Sequence, residues 1–482
     1  MKISKCIVLF KGGDINSPDC FRCVSLISNL SKPYEKYLYS CIYDFLENKI
    51  FFSLFQFGFR KSISTAHNIL NLSNIITETL ANNEVCCALL IDIKKCFDLV
   101  DRRILFEKLN HYGIRGLTLQ LLISYFENRK QKVFFKGRYS NLREIIIGIL
   151  QGSCLGPLLF LIFINDLDKA TALALSQLFA DDNILIAKSH NITSLINKLQ
   201  EIIPLIVSWY SANNLIINGK KTKVLLFTSP RHNFTPEEIE LRVNLPVYIN
   251  TNHFDENLPE KITKLSLISN ENENKENRYA KHLGCLLDEK LKFKYHFDNL
   301  HKRLQKAIFS LKIMKHILDK QHLRILYNAY CKSILDYSCF VFTAVTRETI
   351  NPILILQKQC VRIIAKSNNS LAHTLPLFKQ LQILPFKDMV TYNACLFMYQ
   401  IKNKTAPKVF HTTWQYNIDI HRYPTRNNEN FRTLTHQHTY IMNSPLYKFP
   451  RLFNNLPNHI KNLPSEKVFK KRLFLHMINN LE

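Results

Sequence analysis

The sequence predicts an α+β chain: a mixed body of sheet and helix first, then a mostly helical second half. Three observations predict it. Between Met1 and about Phe227, short β-rich apolar runs alternate with segments of 3.6-residue periodicity. From His296 to Gln400 the pattern is helical and basic, as in HKRLQKAIFSLKIMKHIL. Hydrophobic residues make up 46% of the 482 and charged ones 21%, enough for a large core and too apolar for a long disordered tail. At roughly 100 to 200 residues per domain, this length corresponds to two to four domains or subdomains. Only 11 glycines exclude a collagenous or Gly-repeat design.

Taken in order, Lys32 to Leu46 carries Tyr34, Tyr37, Leu38, Cys41, Ile42 and Phe45 at helical spacing, behind Ser31 as cap and Pro33 in the first turn. Thr65 to Leu80 reads the same way. Val85 to Ile93 (VCCALLIDI) is a continuous apolar run interrupted only by Asp92, which predicts a buried strand ending in a carboxylate. Leu175 to Ala187 (LSQLFADDNILIA) sets two apolar arms around an acidic pair, the pattern of a hairpin. Composition changes at Thr228. Residues 229–278 are polar and Asn/Glu-rich around strand-like runs such as Leu241 to Ile249, which predicts a surface insertion. Basic residues Lys302, Arg303, Lys306, Lys312 and Lys315 then recur along one helix whose apolar side is Leu304, Ile308 and Leu311. The last eighty residues are rich in Asn, Pro and aromatics, and no internal repeat is evident.

Charge narrows the function. Against 64 Lys and Arg stand 38 Asp and Glu, a net +26 that favours a polyanionic partner. The longest apolar run, Leu155 to Ile164, is interrupted by Pro157 and followed by Asn165 and Asp166, so neither membrane spanning nor secretion is indicated. Nucleic acid is the polyanion left, and an intracellular location, nuclear or cytoplasmic, follows. The thirteen cysteines are scattered through apolar stretches, as reduced buried thiols are. Cys20 and Cys23 have the spacing of a zinc half-site, but no second pair follows at knuckle or finger distance.

Three carboxylates stand where burial opposes them. Asp92 ends an apolar strand, and Asp181 and Asp182 occupy the hairpin tip. An uncompensated carboxylate beside apolar surface is costly and calls for a counter-charge or a metal. Oxygen donors select hard cations, and Mg²⁺ held by few protein oxygens plus substrate phosphates is the usual arrangement for phosphoryl transfer. An isolated Asp-Asp would more often be a plain turn, since Asp favours turns.

The surrounding text decides between these readings. LIDIKKCFDLV (Leu90 to Val100) and FADD (Phe179 to Asp182) resemble the two carboxylate motifs of reverse transcriptases. GILQGSCLGPLLFLIFINDL (Gly148 to Leu167) is similar to a run of the non-LTR, LINE-class retrotransposon enzymes. So are QFGFRKSIST (Gln56 to Thr65), the Asn218, Lys221 and Thr222 segment, and HLGCLLDEKL (His282 to Leu291). Farther on, Tyr337, QKQCVRII from Gln357, LPLFKQLQILPF from Leu375, YPTR at 423–426 and RLFNNLP from Arg451 resemble jockey-like elements. The YPTR, RLFNNLP and FADD segments favour that group over intron maturases and telomerase.

The resemblance implies a right-hand polymerase, with fingers and palm over 1–292 carrying a polar insertion at 229–278, a helical basic thumb over 293–400, and a retrotransposon-type region over 401–482. It implies RNA-templated extension of a DNA primer 3′-OH with dNTPs and two Mg²⁺ ions, for which Mn²⁺ can substitute. Asp92 and Asp181 would hold the metals, with Asp182 in support and the Ile93 carbonyl in reach of the second. Phe97 would exclude a 2′-hydroxyl. Gln151, Gly152 and Ser153 would approach template and nucleotide closely, as a Gly-containing loop permits. Lys221 would act on the departing pyrophosphate, Arg22 and Arg60 would grip triphosphate oxygens as planar guanidinium groups do, and Leu283 and Gly284 would form the primer grip. Cys23, Leu150 and Asn183 depart from the family's Pro, Pro and Thr. An endonuclease expected upstream or on a separate partner is not in the sequence, which reads as a partial copy. The alternative class is a catalytically inactive descendant that only binds nucleic acid.

Overall fold

The computed structural model describes residues 2–229, 232, 235–243, 247–250, 262–269, 278–367, 373–419 and 428–481. Strand β1 (Ile3–Phe10) pairs antiparallel with β2 (Phe21–Leu26), from Lys5 opposite Leu26 to Phe10 opposite Phe21. Helix α1 (Ser31–Asn48) buries Leu38, Ile42 and Leu46. Its cap position is Leu30, not Ser31. Ser31 already lies in the first turn, and its hydroxyl donates to the Ser28 carbonyl at 2.7 Å instead of capping the helix. Helix α2 (Thr65–Ala81) starts at a reciprocal capping box between Ser64 and His67. Strand β3 (Val85–Ile91) is buried at every position but Leu90. Helices α3 (Arg102–His111) and α4 (Gly116–Phe126) lead to β4 (Lys130–Phe135), which lies parallel to β1 and pairs with the short β5 (Arg138–Tyr139) and β6 (Arg143–Glu144).

Helix α5 (Gly156–Ile164) is buried on all sides, which explains a nine-residue run so apolar that no polar face exists. Strands β7 (Leu175–Phe179) and β8 (Asp182–Ser189) form the expected hairpin, and α6 (Ile192–Ala212) and β9 (Lys223–Phe227) follow. The segment after β9 departs from expectation in two ways. Where Leu241 to Ile249 reads as strand, α7 (Pro236–Val243) comes first and β10 (Tyr248–Asn250) only begins afterwards. Thr235 and Glu238 cap the helix reciprocally, at 3.1 and 3.2 Å, and Pro236 opens it. After β11 (Ile262–Lys264), β12 (Ser266–Ile268) joins the central sheet parallel to β9, so part of the insertion is core and not surface. Ile268 is fully buried there.

The central sheet runs β12-β9-β3-β8-β7. Alternation along its strands gives it two covered faces. Leu89, Leu185 and Val224 pack toward α5 and α6, while Ala88, Ile184 and Leu225 pack toward α2 and the helices that follow. After the hairpin β13 (Ala280–His282) and β14 (Cys285–Leu287), the chain is helical: α8 (Lys294–Met314), α9 (Lys320–Tyr327), a π-turn at Asn328–Lys332, α10 (Ser333–Asp336), α11 (Arg347–Ala365), α12 (Thr374–Leu381) and α13 (Phe386–Lys402). Beyond it come α14 (Thr439–Met442), α15 (Pro445–Asn454), α16 (Asn458–Lys461) and α17 (Glu466–Asn479). Helix α13 packs on both α15 and α17, so one hydrophobic core runs through the position near 400 where composition changes. The YPTR segment at 423–426 lies outside the described residues. Among the described residues no helix is long and apolar enough to cross a membrane.

Candidate active site

The register of the central sheet assembles the carboxylates. Ile91 pairs with Asn183 and Phe179 with Asp182, so Asp92, the residue after β3, emerges beside the β7–β8 turn. Ala180 and Asp181 form that turn, Ala180 at φ 55°. The three groups sense one another. Asp182 is pushed up to about 6 by desolvation from the surrounding protein, although its side chain reaches solvent, and by repulsion from Asp181 and Asp92. Asp92 is also raised, chiefly by desolvation and further by Asp181, against the opposing pull of Lys221, Asn218 and Lys11. The buried Cys96 thiol donates to Asp181 Oδ2 at 3.4 Å.

Asp92 is held from behind by a segment far away in the chain. Asn218 Nδ2 donates to Asp92 Oδ2 at 2.9 Å, and the Asn218 N–H donates to the Asp92 carbonyl at 2.7 Å. Thr222 Oγ1 accepts the Asp92 N–H at 3.3 Å and donates to the Asn218 carbonyl at 3.0 Å. Ile93 bridges Ile217, and the bonds of that bridge come from the flanking Asp92 and Lys94, leaving the Ile93 carbonyl outside the pairing. Lys221 lies exposed beside Asp92. Sequence reasoning noticed Asn218 and Thr222 only as a likeness; their work is to aim Asp92.

The turn carrying Asp181 rests on Gln56–Gly58. Gln56 is fully buried, and its Oε1 accepts from Gly58 N at 2.9 Å and Ala180 N at 3.3 Å. Phe57 N donates to the Leu178 carbonyl and Leu178 N to the Phe55 carbonyl, so this segment runs along β7 like a further strand. A Cβ on Gly58 would sit 2.3 Å from Ala180 N, which only glycine tolerates. Arg60, expected to grip triphosphate, is engaged within the protein. Its Nε and one terminal nitrogen bind the Glu47 carboxylate at 3.0 and 3.2 Å, the other binds the Ser53 and Gln56 carbonyls, and its side chain is 9% exposed. That guanidinium is consumed in holding the loop after α1.

On the other flank, Phe97 stacks on Phe160 of α5, centroids 4.7 Å apart at 22°, which fixes its ring. The Gln151 loop adjoins it: Ile149 N donates to the Phe97 carbonyl at 2.8 Å. Gly152 is at φ 115° and a Cβ there would lie 2.6 Å from the Ser25 carbonyl, while Ser25 N donates to the Gln151 carbonyl at 2.7 Å. The loop is thereby pinned to β2. Gln151 Nε2 reaches Asp98 Oδ1 at 3.4 Å, and both line a cleft of about 420 Å³ with Cys23 and Gly148. Ser153 turns inward instead, 7% exposed, and accepts from Gly156 N at 2.8 Å. Arg22 is exposed on β2 near Asp98, and Lys11 acts on both Asp92 and Asp98. Lys11 was missed by sequence reasoning, where it is one basic residue among 64.

Leu283 and Gly284 form the tight β13–β14 turn at φ 44° and 80°. The Tyr337 hydroxyl donates to the Leu283 carbonyl, and its ring lies against Gly284, 3.3 Å from where a Cβ would be. His282, beside them, is buried against Asn68 Oδ1 at 2.8 Å, and Gln177 of β7 donates to that same oxygen at 2.9 Å. A polar chain thus links the turn to the hairpin of Asp181. On α8, Lys302, Arg303, Lys306 and Lys312 are exposed opposite buried Leu304, Ile308 and Leu311.

The donor set suits a divalent cation. Asp92, Asp181 and Asp182 are hard oxygen donors in excess of their counter-charges, and cation binding relieves the repulsion that raises Asp182. Among the described residues no three His, Cys, Asp or Glu side chains form a ready-made cage. Reverse transcriptases in general use divalent metal ions.

Relatives sharpen this picture. An RNA-directed DNA polymerase from transposon BS of Drosophila melanogaster, designated probable, is 27% identical over 380 residues, covering 75% of this chain and 38% of that protein. The RNA-directed DNA polymerase from mobile element jockey of Drosophila funebris is 27% identical over 357 residues, 72% of this chain and 36% of that protein. This chain therefore spans little more than a third of the curated relatives it matches. Apo telomerase from Candida tropicalis aligns at a TM-score of 0.41 and 14% identity over 86% of this chain and 68% of its own. The profile of the reverse transcriptase (RNA-dependent DNA polymerase) family matches residues 11–287, more than half of the sequence, and the chain belongs to that family.

Proposed function

We propose that this chain is the RNA-directed DNA polymerase of a non-LTR retrotransposon, extending a DNA primer on an RNA template with dNTPs inside the cell. The observation that carries the reading is the meeting of Asp92 with the Asp181–Asp182 turn, with Lys221 and Lys11 as the neighbouring cations. Asp92 and Asp181 would hold two Mg²⁺ ions, or Mn²⁺ in their place, with Asp182 and the Ile93 carbonyl in support. Bound metal supplies Lewis-acid activation of the primer 3′-oxygen and neutralises triphosphate charge. Asn218 and Thr222 keep the Asp92 carboxylate aimed, and Gln56 keeps Asp181 at the turn. Lys11 and Arg22 engage triphosphate oxygens, a role Arg60 does not share. Lys221 stabilises or protonates the leaving pyrophosphate. Phe97, braced by Phe160, closes the space a 2′-hydroxyl would need. Gln151 and Gly152 approach the nascent pair, and Ser153 positions the start of α5. Residues 1–292 act as fingers and palm, 293–400 as a basic thumb gripping phosphates without sequence choice, and 401–482 as a buttress for both. Leu283 and Gly284 seat the primer. Nicking of a target site falls to an endonuclease outside this sequence. Extension of a primer annealed to RNA by the purified chain, dependent on Mg²⁺ and on dNTPs, is the test; absence of extension on any RNA template overturns the proposal.

A further inference from the structure

A second cleft lies far from the carboxylates, between α13, α17 and the π-turn at Asn328–Lys332. Two adjoining cavities of about 290 and 700 Å³ share Tyr392, Lys470 and Phe474 as lining. The π-turn adds Asn328 and Lys332 on one wall, and Lys467 and Lys471 of α17 stand on the other. The Tyr392 and Phe474 rings meet edge to face, centroids 6.3 Å apart at 89°, and the Tyr392 hydroxyl donates to the Lys470 carbonyl at 3.4 Å. Both aromatics are half-buried, held in place yet open to the cavity. The two carboxylates of the cleft, Asp336 and Glu466, are already paired to Lys332 at 2.8 Å and Lys470 at 2.6 Å. Lys467 and Lys471 are exposed, and the cleft as a whole has four lysines against two carboxylates.

Aromatic side chains among lysines in an open groove are the chemistry of single-stranded polynucleotide binding, in which bases stack and phosphates meet ammonium groups. A π-turn lining a cavity is also a recurrent feature of functional sites, since it re-aims side chains at some cost to helix geometry. The groove is separated from the central sheet by two layers of helix: α2 covers β3 and β7, α15 packs on α2, α13 on α15, and α17 on α13. A stretch of strand bound here lies outside the polymerase site.

We infer that this groove is a docking site for a single-stranded polynucleotide distinct from the template–primer in the polymerase cleft. The inference does not depend on catalysis by Asp92 and Asp181, so the two stand or fall separately.

The test uses the full chain saturated with an unlabelled RNA–DNA template–primer, to which a fluorescein-labelled 12-mer oligo-U or oligo-dT is added and followed by anisotropy. Binding of either oligonucleotide beyond the first site supports the groove, and the stronger of the two identifies RNA or DNA as its source. Lys467→Glu combined with Lys471→Glu, both at exposed positions, should weaken this second binding about tenfold or more and flatten its salt dependence. Phe474→Leu should weaken it with little change in melting temperature, and primer extension on a short template should be unaltered in both variants. Second-site binding that is unchanged in the variants would overturn the inference. So would its abolition by the template–primer, or displacement of the oligonucleotide by an acidic peptide at equal charge concentration, which would make the groove a protein-binding site.

Discussion

Asn218 holds Asp92 twice, its side-chain amide on Oδ2 at 2.9 Å and its backbone N–H on the Asp92 carbonyl at 2.7 Å. The first bond fixes the carboxylate rotamer and the second fixes the strand end that carries it. Replacing Asn218 by Ala removes only the first. Partners that orient a metal-binding side chain are worth roughly 10- to 100-fold in activity or metal affinity. Asn218→Ala should therefore lower primer extension by about that factor and raise the Mg²⁺ concentration for half-maximal rate, with the fold intact by circular dichroism. An unchanged Mg²⁺ requirement would remove Asn218 from this role.

Gly58 presents a different kind of dependence. A methyl group there meets the Phe179–Ala180 backbone, 2.3 Å from Ala180 N and 3.1 Å from Ala180 Cα, and backbone cannot step aside as a flexible side chain would. Gly58→Ala should cost about 3 kcal/mol, the upper part of the range for overpacking. It should also displace the Asp181 turn, so activity should fall more than the fraction unfolded explains. Chemical denaturation run beside primer extension measures both.

The bonds of Arg60 to Glu47 predict a part in stability and not in nucleotide binding. Removing one partner of a largely buried ion pair leaves the other uncompensated, at a cost of roughly 3 kcal/mol. Arg60→Ala should lower the melting temperature, while the KM for dNTPs of the folded fraction stays within about twofold of the parent. A rise of tenfold or more in KM with unchanged melting would return Arg60 to the triphosphate.

Acid sensitivity follows from His282. Burial lowers its pKa from 6.5 to about 3, and its ring sits against Asn68 in the chain of bonds behind the hairpin. The unfolded chain binds a proton near pH 6.5 that the folded chain refuses until about pH 3. The stability from neutral His282 is therefore complete above pH 6.5 and declines as pH falls toward 3. At pH 5.5 the loss is on the order of 1 kcal/mol from this residue. His67 and His296, both lowered to about 4 by burial, act in the same direction. Urea melts of the parent and of His282→Gln between pH 5.5 and 7.5 should show a shallower pH slope in the variant.

The carboxylates were legible in the sequence because each is locally improbable: Asp92 ends seven strand residues that the structure buries almost completely, and Asp181 and Asp182 interrupt two apolar arms. The strands and helices around them were legible for the same reason, since periodicity is a local signal. What holds the carboxylates was not. The Asn218–Asp92 contact spans 126 residues, and the Gln56–Ala180 contact spans 124. The partner of Arg60 was not legible because a sequence does not tell whether a guanidinium meets solvent or a Glu47 thirteen positions earlier. Strand β12 was missed because three residues pairing in parallel carry almost no pattern of their own. Helix α7, in contrast, did announce itself: TPEE at 235–238 has the form of a helix start, and the apolar run behind it drew attention away.

The central claim is that Asp92, Asp181 and Asp182 act together on a growing DNA strand. Single-nucleotide extension of a DNA primer on an RNA template, measured with Mg²⁺ for the parent and for Asp181→Ala in one preparation, tests it most directly. The account predicts clear extension by the parent and a loss of at least a thousandfold in the variant, about 4 kcal/mol of transition-state stabilisation. Equal rates in the two proteins, or no extension by a folded parent, would contradict it.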